Sequence, residues 1–144
     1  MGTTNHEYYV SLEVAKLLKE AGFDWPTRYS YDLYLYSTEG EKRVIDGFAS
    51  TFCNEHNGLA SMPTLDVAQR WLREVKNCQV EIMYMYDKYG INMGKYVVIY
   101  TVQDRVHGSL VDEESEQPIK LFEVYEKAQE AGIKKCLDVF LAEE

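Results

Sequence analysis

Met83-Tyr84-Met85-Tyr86-Asp87 and Tyr96-Val97-Val98-Ile99-Tyr100-Thr101, separated by a polar stretch containing Gly90, Asn92 and Gly94, decide how this chain folds. Both runs are rich in aromatic and β-branched residues, which suit the pleated, half-buried surface of a strand. The glycines and asparagine between them supply turn chemistry. An antiparallel hairpin follows, with one strand over 78–86, a turn over 87–93 and a partner strand over 95–104. Cys78, Val80, Ile82 and Tyr84 alternate with Gln79, Glu81, Met83 and Met85, so the first set is expected to face the core.

Upstream of this hairpin, Pro63 and Thr64 announce the clearest helix, over 64–76. Thr64 is its cap and Asp66 sits favourably in its first turn. Leu65, Ala68, Leu72 and Val75 form the expected buried stripe, widened by Val67 and Trp71. Arg70, Arg73 and Lys76 fall on the remaining surface. A shorter helix over 11–21 is read from Ser11 as N-cap, the apolar Leu12, Ala15 and Leu18, and Gly22 as the residue that ends it. Trp25-Pro26 reinforces that break. Tyr29–Tyr36 alternates as a strand. Val44–Phe52 reads as either a short strand or a brief helix, and 54–61 reads as loop.

Downstream, 105–117 is polar and carries Asp112-Glu113-Glu114-Ser115-Glu116. A last helical segment is expected to begin near Pro118. Ile119, Phe122, Tyr125, Ala128 and Gln129 fit its spacing, as do Ile133, Cys136, Leu137 and Phe140 beyond Gly132. A break or bend at Gly132 is favoured over one continuous helix. The strings Glu20-Ala21-Gly22 and Glu130-Ala131-Gly132 look alike and read as shared helix-ending chemistry.

Length and composition set the outer limits. A chain of 144 residues fits one compact domain, 1–144, with flexible residues 1–7 and a frayed 142–144. Its 24 acidic and 15 basic residues give a formal charge of −9, which opposes long-range attraction to nucleic-acid phosphates or anionic lipid. Cys53, Cys78 and Cys136 make an odd count without a pairing motif, so free thiols in a reducing compartment are expected. There is no basic segment followed by an apolar run at the N-terminus, and nowhere do roughly 18 apolar residues run together. A soluble, cytoplasmic protein without a membrane role is the expectation.

No residue set specifies a reaction. Cys53-Asn54-Glu55-His56 brings a thiol near an imidazole, but zinc ordinarily takes four such ligands, or three and water. Asp112–Glu116 lacks the ordered pattern of a calcium loop. The glycines form no nucleotide-binding fingerprint. No metal and no cofactor are expected, and no catalytic residue is assigned. The 12 tyrosines are the compositional oddity. Tyr34, Tyr36, Tyr96 and Tyr100 are candidates to line a sheet face with Tyr84 or Tyr86, either as ordinary strand packing or as a platform for a partner.

Tyr9-Val10-Ser11-Leu12-Glu13-Val14-Ala15-Lys16-Leu17-Leu18-Lys19-Glu20-Ala21-Gly22-Phe23 and Met62-Pro63-Thr64-Leu65-Asp66-Val67-Ala68-Gln69-Arg70-Trp71-Leu72-Arg73-Glu74 resemble a group of small proteins common in gut Bacteroidetes and in their phages or mobile elements. Tyr125–Leu137 is similar to that group's C-terminal end. About half of the chain takes part, in three separate pieces. The resemblance implies one domain and a phage or prophage setting, and it carries over no catalytic residues. It also predicts Trp71 as a core anchor, with Arg70 and Arg73 on one exposed edge.

The expected fold is α+β: a mainly antiparallel sheet of three or four strands, helices on one face, and a C-terminal helical segment. The expected function is that of a non-enzymatic phage or prophage accessory protein acting by protein interaction, alone or as a homodimer, with a partner the sequence does not identify. Interaction candidates are Arg70, Arg73, Tyr34, Tyr36, Tyr96 and Tyr100. The competing readings are a small metal-dependent or other hydrolase and an acidic DNA-mimicking inhibitor.

Overall fold

The computed structural model describes residues 8–33, 44–51, 54, 58–109 and 119–143, with the backbone alone for 44–51, 92, 93 and 109. The fold is α+β, and all strand pairs are antiparallel. The strands divide between two three-stranded sheets. The chain correspondingly separates into two compact units, Met1–Ala68 and Gln69–Glu144.

In the first unit, α1 (Leu12–Ala21) starts where Ser11 Oγ accepts a hydrogen bond from the Val14 amide at 3.3 Å. Such a cap satisfies one of the amide donors that the first helical turn leaves open. The helix ends as its sequence demands. Gly22 enters the left-handed region at φ 95°, and its N–H donates to Lys19 O at 3.1 Å. The Phe23 N–H donates to Leu18 O at 2.9 Å, and the Phe23 ring is buried. This is the paired bonding of a Schellman cap with its hydrophobic contact. Leu12, Val14, Ala15 and Leu18 form the buried stripe.

The sheet of this unit has β1 (Thr27–Asp32) in the middle, β2 (Val44–Thr51) on one side and β3 (Leu59–Ser61) on the other. The choice left open over 44–52 resolves to a strand. Its Val44, Ile45 and Thr51 favour that state and Gly47 disfavours a helix, so pairing with β1 prevails over helical spacing. Leu59–Ser61, expected as loop, is a short strand. Asn54 secures it, accepting from the Ser61 amide at 2.8 Å and donating to Phe23 O at 2.9 Å. Tyr31 sends its hydroxyl to Val10 O at 2.6 Å, so the ring is buried and its polar end is satisfied.

The boundary between the units falls inside α2 (Leu65–Val75), which Thr64 caps by accepting from the Val67 amide at 3.2 Å. Leu65, Ala68, Trp71 and Leu72 are buried, and Arg70 and Arg73 are exposed. Val75, expected in the buried stripe, is 49% exposed at the last helical position. Asn77 follows in the left-handed region at φ 55°, a conformation that asparagine tolerates better than most residues.

The second unit holds the hairpin from which the chain was read. β4 (Cys78–Tyr86) pairs with β5 (Asn92–Val102) from Cys78↔Val102 through Tyr84↔Tyr96. Cross-strand partners share a face, so Cys78, Val80, Ile82 and Tyr84 lie with Val102, Tyr100, Val98 and Tyr96. A third strand, β6 (Arg105–Ser109), pairs on the other side of β5, where only polar connection was expected. Its turn is Gln103-Asp104, both with positive φ (45° and 67°), the type I′ pattern matched to strand twist. No glycine marks that turn, which is why it escapes a sequence reading.

α3 (Tyr125–Ala142) corrects two expectations. It begins at Tyr125 rather than near Pro118, because Phe122 is held in a β-bridge. The Phe122 amide donates to Tyr96 O at 2.9 Å, and the Tyr96 amide donates to Phe122 O at 2.7 Å. It also runs unbroken through Gly132, which is buried. A Cβ there would stand 2.6 Å from Val80 Cγ1 and 2.8 Å from Val98 Cγ1. The glycine lets the helix backbone approach the sheet, and that contact outweighs its poor helix propensity. Behind it, Gln129 Nε2 donates to Gln69 Oε1, and Gln69 Nε2 donates to Val80 O, each at 2.8 Å. This amide relay links α3, α2 and β4.

Pro118 and the acidic run 112–116 lie outside the described residues, as do residues 1–7 and 144.

Candidate functional site

Beyond the first turn of α3, the inner face of the β4–β5 sheet carries tyrosines. Tyr84 and Tyr96 form a cross-strand pair with ring centroids 4.9 Å apart at 45°. A register shift between Tyr84 and Tyr86 changes how the strand presents its next side chains, and the Tyr86 ring meets Tyr84 edge-on at 5.5 Å and 86°. Tyr125, the first residue of α3, sets its ring on Tyr96 at 5.6 Å and 87°. These spacings and the two edge-on geometries suit the quadrupoles of aromatic rings. Four tyrosines from three elements therefore make one connected cluster. Tyr86 is 58% exposed and Tyr125 40% exposed, so its outer rings meet solvent. Lys95 and Glu123 form an ion pair at 3.0 Å, from residues adjacent to Tyr96 and Phe122.

The hairpin tip is built around Asp87. Its Oδ1 accepts from the Tyr89 and Ile91 amides at 2.8 and 3.0 Å, and its own amide donates to Ile91 O at 2.8 Å. Gly90, at φ 79°, supplies the left-handed residue. Tyr89 (76% exposed) and Ile91 are thus carried into solvent by a hydrogen-bonded turn. Asp87 is the signal available in sequence for that order, because an Asp side chain mimics backbone turn bonding.

The nominated residues separate. Tyr96 joins the cluster. Tyr100 does not: it is 7% exposed and stacks on His107 at 5.1 Å with the rings 4° from parallel. Burial raises the Tyr100 pKa, with a smaller contribution from Cys136. Arg70 and Arg73 lie on the outer side of α2, where Arg70 Nε pairs with Glu74 at 2.7 Å. An exposed i,i+4 pair of this kind contributes roughly 0.3–0.5 kcal/mol. Tyr34 and Tyr36 lie outside the described residues. Tyr125 was missed as a site residue because its helical spacing filed it with the core of the last helix.

The first unit contains a cavity of about 310 Å³ lined by Tyr9, Pro26, Thr27, Arg28, Met62, Pro63, Thr64 and Val67. Tyr9 meets Tyr29 edge-on at 5.6 Å, and the Arg28 guanidinium lies 5.2 Å from the Tyr29 ring centroid. Its hydroxyls serve the backbone: Thr27 Oγ1 donates to Tyr29 O, and Thr64 Oγ1 caps α2. Its lining presents no carboxylate, imidazole or thiol for acid–base or nucleophilic work.

Among the described residues, no three His, Cys, Asp or Glu side chains are grouped to hold a metal ion. Cys53 and His56, the residues behind the hydrolase reading, lie outside them. Among the described residues, too, no helix is long and apolar enough to cross a membrane. Comparison with protein-family models, with curated proteins and with solved structures finds no match.

Proposed function

We propose that this chain is a non-enzymatic accessory protein that acts by binding another protein through the tyrosine cluster Tyr84, Tyr86, Tyr96 and Tyr125 and the adjoining hairpin tip. The observation that carries this reading is the cluster itself: four contacting rings whose outer members stay open to solvent. Tyrosine provides a large contact area with few rotatable bonds and a hydroxyl at its wet end, so it is enriched among residues that dominate interface energies. Inner rings locked by strand pairing lower the ordering cost of association. The phage or prophage setting comes from the resemblance of Pro63–Glu74 and its companion stretches.

The test is capture from a phage-infected lysate by the purified full chain, with retained proteins identified by mass spectrometry. A Tyr86→Ser/Tyr125→Ser variant runs beside it after circular dichroism shows its fold intact. The expected result is a stoichiometric protein retained by the natural chain and lost by the variant. Equal retention by both, with loss in Arg70→Ala/Arg73→Ala instead, would move the contact to the outer side of α2. No retained protein at all would remove the interaction reading.

A further inference from the structure

The core of the second unit contains a pair of thiols that the tyrosine cluster leaves unexplained. Cys78 opens β4, Cys136 lies within α3, and both are buried. Their side chains share a hydrogen bond. The Cys136 sulfur also lies 3.8 Å from Gln79 O, and the Cys78 sulfur 3.5 Å from Lys76 O, which fixes both against the first residues of the strand. Sulfurs in direct contact, on two elements whose backbones pack closely, need only a small approach to reach bonding distance.

The two thiols are not equivalent. The hydrogen bond from Cys136, the Gln103 backbone and the charge of Lys76 together lower the Cys78 pKa, against desolvation and Glu143. Cys136 is pushed the other way by the contact with Cys78 and by burial. The thiolate is the attacking form of a cysteine, so Cys78 is the nucleophile and Cys136 holds the proton. The Lys76 ammonium also lies 5.0 Å from the Phe140 ring centroid and 5.6 Å from that of Trp71.

We propose that Cys78 and Cys136 form a reversible intramolecular disulfide when the protein meets a small peroxide, fastening α3 to the start of β4. The Cys78 thiolate attacks one oxygen of hydrogen peroxide. An S–O bond forms, the O–O bond breaks, and the departing hydroxide takes up a proton to become water. The Cys136 sulfur then gives up its proton and attacks the Cys78 sulfenic sulfur. The S–S bond forms as the S–O bond breaks, and the second hydroxide leaves with that proton as water. Two thiols lose two electrons, and one peroxide becomes two waters. A small dithiol reverses the bond by exchange. Because both sulfurs are buried, a small uncharged oxidant is the class that reaches them.

The full reduced chain is treated with hydrogen peroxide under native conditions, then denatured, alkylated and mapped by mass spectrometry. The expected product is a peptide pair joined through Cys78 and Cys136, with a higher melting temperature that dithiothreitol returns to its starting value. In Cys136→Ala, Cys78 is expected to stop at the sulfenic acid and be trapped by dimedone. Full alkylation of both cysteines after peroxide treatment overturns the proposal, and so does a bridge from either one to Cys53. A melting temperature that falls on bridging overturns the fastening.

Discussion

Glu20-Ala21-Gly22 and Glu130-Ala131-Gly132 are the same three residues in two units, and they do opposite things. At the first, Gly22 stops a helix by turning left-handed at φ 95°, and a Cβ added to it would meet no heavy atom within 4 Å among the described residues. At the second, Gly132 sits within a continuous helix, and the space of its missing side chain is filled by Val80 and Val98. One glycine is required by its backbone and the other by its neighbours. A tripeptide does not distinguish these uses; what distinguishes them is whether a sheet lies underneath.

The comparison can be broken at Gly132 first. Gly132→Ala gains about 1 kcal/mol of helix propensity. It also forces a methyl against two stiff, β-branched side chains, and overpacking of this kind costs about 1–3 kcal/mol. Net destabilisation is therefore expected, seen as a lower urea midpoint. Adding Val80→Ala to Gly132→Ala should sharpen the point. The cavity that Val80→Ala makes on its own is partly filled by the new methyl, so a double-mutant cycle should return a favourable coupling of about 1–2 kcal/mol.

At Gly22 the cost comes from the backbone alone. Gly22→Ala should lower stability by about 1 kcal/mol, because an L-residue resists the left-handed region. Gly22→Asn should recover part of that loss, whereas Gly132→Asn should recover nothing. This difference in rank order, read from thermal midpoints, separates the two uses of glycine.

The smallest effect lies in the sheet beneath α3. Tyr100 is two residues from Val98, and burial raises its pKa above the ordinary value. A tyrosine with a raised folded-state pKa contributes fully below pH about 10 and loses that contribution as the pH rises further. Urea midpoints should therefore decline with alkaline pH less steeply in Tyr100→Phe than in the natural chain. An identical slope in both would remove Tyr100 from the account.

How much of this was legible in the sequence follows from where each signal is written. The β4–β5 hairpin and the core side of β4 were readable because alternation over Cys78–Tyr84 is a local pattern with one solution. Ser11, Gly22 and Thr64 were readable because capping chemistry is local too. β6 was not, since Gln103-Asp104 adopts positive φ without glycine. β3 was not, since three residues carry too little pattern and their pairing with β1 is decided at a distance. At the candidate site, Tyr96 was found and Tyr125 was missed. Tyr100 was nominated with Tyr96 from the same strand face, but four residues further along β5 it is packed against His107. Which tyrosines stay open depends on where α3 begins, and the Phe122 bridge to Tyr96 helps to set that.

The boundary between the units falls within α2, between Ala68 and Gln69, and this bears on how such a chain is inherited. A fragment ending at Ala68 would keep only Leu65–Ala68 of the helix, a length that does not hold helical structure in water. A fragment starting at Gln69 would lose Thr64 and, with it, the cap of its first turn. Neither half can be exchanged by recombination at that point without leaving an unfinished helix in each product. Where most proteins of two units offer a linker to shuffle, this one must be passed on whole.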